Sequence, residues 1–217
     1  MTLLWDSGGP RERRIVVFAG VGTGSVDEGR PESLDPRERA RAARYVRREH
    51  RIAFVERRTA VRQVLGDLLG VSPRSVPLHT GANGRPLLDG WSLSLSSCGA
   101  VAALALARGV LCGIDVEAVF ETRRVHAIAS LLMPDGEIAE WDARALTRLW
   151  TAKEAYAKAA NVTLLDALQR ARAVDGVRAL VADGTRYAVH ELPLSGRFPG
   201  QPALCGSVVC TSTAPTL

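Results

Sequence analysis

The segment Val110-Leu111-Cys112-Gly113-Ile114-Asp115-Val116-Glu117 constrains this chain more than any other. Its side chains alternate, and a strand places alternate side chains on opposite faces. Cys112, Ile114 and Val116 then share a buried face, and Asp115 and Glu117 point together to the other. Two carboxylates two residues apart repel unless something cationic stands between them. A strand edge facing an arginine would meet that need, and so would a metal ion.

The cations themselves are unevenly chosen. Of the 28 Lys and Arg residues, only Lys153 and Lys158 are lysines, and both lie in Trp150-Thr151-Ala152-Lys153-Glu154-Ala155-Tyr156-Ala157-Lys158. Lysine is a compact, mobile point charge, whereas arginine is a rigid planar fork. A helix is expected from the cap Asp142 to about Ala160. At about 100° per residue, Leu146, Leu149, Trp150, Ala157 and Ala160 form one stripe with Lys153 in its middle. Glu154 and Lys158 flank that stripe one turn apart, as an i, i+4 pair does. Lys153 is expected to face a cleft and not solvent.

The rest of the chain alternates strand and helix material. Arg14 to Ala19 reads as a first strand, and Gly20 to Ser25 as a turn that lacks the third glycine of a dinucleotide loop. Asp35-Pro36 opens a helical pattern reaching about Leu69, with Asp35 as cap and Pro36 in the first turn. Arginine dominates its first two thirds, which makes that face suited to phosphate or acidic protein. Asn83-Gly84 marks a turn, and Trp91 to Leu106 is small and apolar around Ser94-Leu95-Ser96-Ser97-Cys98. Ala107-Arg108-Gly109 breaks the run. Helices are expected over Glu121 to Leu132 and near Leu164 to Arg172, with strands at Arg186 to Leu192 and Ala203 to Cys210. Together these predict an α+β chain of two similar α/β halves, 1–107 and 108–217.

The net charge of +5 favours acidic partners. Few stacking aromatics interleave the arginines, which argues against nucleic acid as the partner. No cationic and apolar leader opens the sequence, no apolar run is long enough to span a membrane, and Cys98, Cys112, Cys205 and Cys210 lack paired spacing. A cytoplasmic protein with reduced cysteines is expected.

Asp115, Glu117 and Glu154 are hard oxygen donors of the kind that suits Mg²⁺ bound together with phosphate. The two segments that carry them resemble the signature pair of the 4′-phosphopantetheinyl transferases, G-(I/V)-D-(I/V)-E and W-(S/T/C)-x-K-E-(A/S)-x-x-K. The length and two-half layout resemble the surfactin-synthetase-activating type. The resemblance implies that family's fold, with two halves in pseudo-twofold arrangement, in one monomeric chain that builds a whole site. It implies transfer of the 4′-phosphopantetheine arm of coenzyme A to a serine of an apo acyl or peptidyl carrier protein, with release of adenosine 3′,5′-bisphosphate. Carriers of fatty-acid, polyketide and nonribosomal-peptide synthesis present an acidic helix that fits a basic surface. Asp115, Glu117 and Glu154 would hold Mg²⁺, or Mn²⁺ in its place. Lys158 would contact the coenzyme's phosphates, and Lys153 would orient the carboxylates or ease proton transfer. Glu137 corresponds to a glutamate proposed to deprotonate the serine. Gly84, Arg85 and Pro86 resemble the family's G-K-P, and Arg41 with Arg85 the positions that meet the 3′-phosphate end. Ser96 and Ser97 fall in the family's N-(I/L)-S-H-(S/T), with Ser97 replacing the histidine. A neutral hydroxyl donates a weaker bond to phosphate than an imidazolium does. Two other readings fit the acidic and basic residues: a Mg²⁺-dependent nuclease or phosphodiesterase, and a non-catalytic module that binds carrier protein or coenzyme A.

Overall fold

The computed structural model describes residues 1–8, 15–22, 31–81, 85–121, 127–129, 131–132 and 142–211. Among them run eleven strands. Four form one antiparallel sheet in the order β1 (Thr2–Asp6), β2 (Ile15–Val21), β6 (Val101–Ala107), β5 (Ser92–Cys98). Five form a second in the order β7 (Cys112–Ala118), β11 (Leu204–Thr211), β10 (Thr185–Glu191), β9 (Ala179–Ala182), β8 (Arg172–Val174). The short pair β3 (His79–Thr80) and β4 (Pro86–Leu87) stands apart. The helices are α1 (Pro36–Ala43), α2 (Arg48–Leu69), α3 (Ala143–Ala160) and α4 (Leu164–Arg170). No helix among the described residues is long and apolar enough to cross a membrane.

The sheets pack face to face. Val17, Ala19, Ala103 and Ala105 of the first meet Ile114, Val116 and Val208 of the second in one buried cluster. Every residue of β6 is buried, because its other face, Leu104 and Leu106, packs under Val61, Val64 and Leu65 of α2. On the far side, Ala152, Ala155 and Ala159 of α3 cover Val209 and Leu180. The order is helix, sheet, sheet, helix, the mixed α+β architecture expected. Small residues at the layer contacts let aromatics stay few.

The long helix expected from Pro36 to Leu69 is two helices that break at Arg44–Arg47. Asp35 caps α1 in a reciprocal capping box: its Oδ1 accepts from the Glu38 N–H at 2.8 Å, and Glu38 accepts from the Asp35 N–H at 3.2 Å. The same two carboxylates receive Arg62 of α2, which is fully buried. Its Nε lies 2.5 Å from Glu38 Oε2 and its Nη2 2.7 Å from Asp35 Oδ2. Nη1 donates to the carbonyls of Pro73 and Val76. The arginine-rich stretch is therefore more than a solvated face. Arg62→Met should leave buried Glu38 with only the more distant Arg58, its Nε 3.7 Å from Oε1, as counter-charge, and lower unfolding free energy by about 3 kcal/mol. Urea denaturation measures this, and a loss under about 1 kcal/mol would show the bolt to be dispensable.

Strand β1, the pair β5 and β6 across the small, apolar stretch Trp91 to Leu106, and the pair β8 and β9 extend the expected strand set, and α3 runs from the predicted cap Asp142, whose side chain accepts from Ala145 N–H. All four cysteines are free. The turn residues Thr23 to Ser25 and Asn83-Gly84, the segment Met133 to Glu137, and half of the helix expected over Glu121 to Leu132 lie outside the described residues; residues 127–129 and 131–132 of that stretch are helical.

Candidate functional site

Gly113 brings the site's two elements together. A Cβ there would stand 1.9 Å from the Ala155 carbonyl oxygen and 2.7 Å from Ala159 N, so β7 and α3 approach as only glycine permits. Two residues further along the same face comes Asp115. It is buried, at 5% exposure, under the turn of α3 that carries Glu154 and Lys158.

Asp115 Oδ1 accepts two bonds, from Lys158 Nζ at 2.6 Å and from Ser96 Oγ of β5 at 2.8 Å. Lys158 Nζ also donates to the Ile114 carbonyl at 3.1 Å and stands 3.8 Å from Glu154 Oε2. The ammonium thus links the two carboxylates. Asp115 Oδ2 is buried and has no hydrogen-bond partner among the described residues. An anionic oxygen held dry and unpaired is costly, so this one suits a cation arriving from the cleft. Glu154 is partly exposed, and its carboxyl is pushed up first by burial, then by the charges of Asp115 and Glu117, against the pull of Lys158. A further positive charge between these carboxylates would relieve that repulsion.

Glu117 is turned differently. Its Oε1 accepts from the Ala118 N–H at 3.2 Å and from Cys98 Sγ at 3.6 Å. Accordingly, no three Asp, Glu, His or Cys side chains among the described residues converge as a ready metal cage. The donor set still fits Mg²⁺, which takes one or two carboxylates and fills its remaining positions with water and phosphate oxygens.

A cavity of about 390 Å³ opens beside these groups, lined by Arg85, Ser94, Glu154, Lys158 and Asn161 among others. Arg85 crosses it: Nη1 donates to the Lys158 carbonyl at 2.5 Å and Nη2 to the Leu93 carbonyl at 3.2 Å. Burial lowers its pKa. Pro86, buried, lines the same cavity. Arg41 is not brought here. It lies over the Phe54 ring and lines a separate depression with Arg37, Arg44 and Tyr45. Gly84 and Glu137 lie outside the described residues.

Lys153 departs from the expectation that it faces the cleft. It is buried at 4% exposure, and Nζ donates to the Leu132 carbonyl at 2.8 Å and the Leu168 carbonyl at 3.0 Å. Burial, with Arg172 nearby, pushes its ammonium down to about 8. The apolar stripe did mark it as inward, but the partners are backbone carbonyls and not site carboxylates. Ser96 is likewise turned to Asp115. Ser97 faces the other way, where Arg57 Nη1 of α2 stands 3.4 Å from its Oγ. The sequence reading missed Arg57, because nothing in a run of ten arginines distinguishes the one that reaches β5.

Residues 111–195 match the family model described as the 4′-phosphopantetheinyl transferase superfamily. The chain is also similar to the 4′-phosphopantetheinyl transferase HetI of Nostoc sp., at 32% identity over 142 residues. That match covers 58% of this chain and 59% of the relative.

Proposed function

We propose that this chain, residues 111–195 of which carry a 4′-phosphopantetheinyl transferase superfamily domain, moves the 4′-phosphopantetheine arm of coenzyme A to a serine of an apo carrier protein. The observation that carries this reading is buried Asp115: its Oδ1 is held by Lys158, which also stands 3.8 Å from Glu154, its Oδ2 has no hydrogen-bond partner among the described residues, and Glu154 and Lys158 line an adjoining cavity. In the reaction the serine oxygen bonds to the β-phosphorus of the coenzyme. The bond from that phosphorus to the bridging pyrophosphate oxygen breaks, and adenosine 3′,5′-bisphosphate leaves.

Asp115 and Glu154 would hold Mg²⁺ or Mn²⁺, with Glu117, whose Oε1 is engaged by the Ala118 N–H and Cys98, as a third donor only when released from them. When bound, the cation neutralises pyrophosphate charge. Lys158 supplies a mobile positive charge next to the carboxylates and would meet a phosphate oxygen as charge builds on the leaving group. Arg85 fixes the Lys158 backbone against Leu93 and so sets where that ammonium can reach. Ser97, paired with Arg57, is the candidate contact for the coenzyme's 3′-phosphate end, and Arg41 lies further out. Glu137 is the candidate base for the serine proton. Residues 1–107 and 108–217 would be the two pseudo-twofold halves of a monomer of the surfactin-synthetase-activating type. The net charge of +5 suits a carrier's acidic helix.

Incubation with coenzyme A, Mg²⁺ and an apo acyl or peptidyl carrier protein, followed by mass spectrometry of the carrier, tests this. The expected result is a gain of one phosphopantetheinyl group, lost with Glu154→Ala. Coenzyme A binding with no gain on any carrier would favour a non-catalytic module, and nucleic-acid cleavage a nuclease.

A further inference from the structure

β5 and β7 lie side by side but belong to different sheets. No backbone ladder joins them. Instead, serine hydroxyls from alternate positions of β5 accept the free-edge amides of β7: Ser92 from Cys112 N–H at 2.9 Å, Ser94 from Ile114 N–H at 3.1 Å, and Ser96 from Val116 N–H at 3.2 Å. Each rung steps two residues on both strands, as the pleat of two parallel strands requires. At the third rung the hydroxyl does a second task. Having accepted from Val116, Ser96 donates to the carboxylate of the preceding residue, Asp115. With Lys158 on the same oxygen, Oδ2 is left clear.

The next rung would pair residue 98 with the Ala118 amide, and residue 98 is Cys. Sulfur is a weak acceptor. The Ala118 N–H goes instead to Glu117 Oε1, and the thiol donates to that same oxygen. Glu117 therefore closes on its own backbone, whereas Asp115, two residues earlier on the same face, does not.

We propose that the even-numbered side chains of β5 are positioning residues of the acidic site: Ser96 aims Asp115 at the cation, and Cys98, the row's one thiol, holds Glu117 back from it. A serine at 98 would accept from Ala118 and donate to Glu117, repeating what Ser96 does for Asp115. This rests on the cation reading above, so the test measures cation binding directly, with Mn²⁺ as probe and electron paramagnetic resonance of free Mn²⁺ as readout, on the whole chain.

Ser96→Ala is expected to weaken Mn²⁺ by about tenfold or more, as loss of a group that orients a ligand does, and Ser96→Thr to restore it. Cys98→Ser is expected to tighten Mn²⁺ by about two- to tenfold, the worth of one hydrogen bond. Wild-type Mn²⁺ binding that neither Ser96→Ala nor Cys98→Ser alters overturns the positioning roles and leaves the cation site standing. Wild-type protein that binds no Mn²⁺ overturns the site and the inference together. Should Ser96→Ala fail to fold, Cys98→Ser decides alone, and unchanged or weaker binding in it overturns the proposal.

Discussion

Asp115→Asn should reduce phosphopantetheine transfer by about 10²–10³-fold, the cost typical of removing one preorganised electrostatic contact, while the protein stays folded. The amide has the carboxylate's shape. Its oxygen can take the Oδ1 position and accept from Lys158 and Ser96 as the carboxylate does. Its NH₂ group then occupies the Oδ2 position, where Asp115 has a buried oxygen without a hydrogen-bond partner among the described residues. A donor stands where an acceptor for a cation stood, and the charge is gone. The fold should tolerate the change, because Lys158 is partly exposed and keeps Glu154 as a neighbour. Turnover at saturating coenzyme and carrier, read beside a thermal unfolding curve, separates the two effects. A folded Asp115→Asn protein keeping more than about a tenth of wild-type turnover would remove Asp115 from the centre of the site.

What the sequence could and could not show about this site follows from range. The alternation along β7 correctly placed Asp115 and Glu117 on one face, and the helical period put Glu154 and Lys158 one turn apart, because both are local rules. The period also placed Lys153 inside an apolar stripe. It could not give the distance to the Leu132 and Leu168 carbonyls, which lie 21 and 15 residues away in the chain. The same limit hid the different surroundings of Asp115 and Glu117, which bond to Ser96 and Cys98 nineteen residues earlier. The break between α1 and α2 was illegible for another reason. Arg47, the N-cap of α2, makes no side-chain cap bond, and no Pro or Gly marks the kink. The break is a tertiary matter, fixed where Arg62 bolts the start of α1 to α2. Capping signals at Asp35 and Asp142, by contrast, were read from sequence and are present.

Gly113→Ala should be the most damaging glycine-to-alanine change among the described residues, destabilising the chain by about 3 kcal/mol or more. Its Cβ would lie 1.9 Å from the Ala155 carbonyl oxygen and 2.7 Å from Ala159 N. Both are main-chain atoms of α3, so no rotamer change can make room. The whole helix must withdraw from β7, and the buried contacts of Ala152, Ala155 and Ala159 loosen with it. The same withdrawal lengthens the 2.6 Å bond from Lys158 to Asp115, so turnover should fall in whatever fraction remains folded. Gly206 on the neighbouring strand gives the comparison. A Cβ there would meet the Leu194 Cδ1 at 2.6 Å and the Leu192 Cδ1 at 3.1 Å, tips of side chains that can rotate away, and one main-chain atom, the Asp115 carbonyl oxygen, at 3.3 Å, which needs only a few tenths of an ångström of give. Gly206→Ala should therefore cost clearly less. Urea unfolding of both variants ranks them. Equal midpoints, or a Gly113→Ala protein with wild-type stability and turnover, would mean that α3 does not sit on β7 as closely as the site requires.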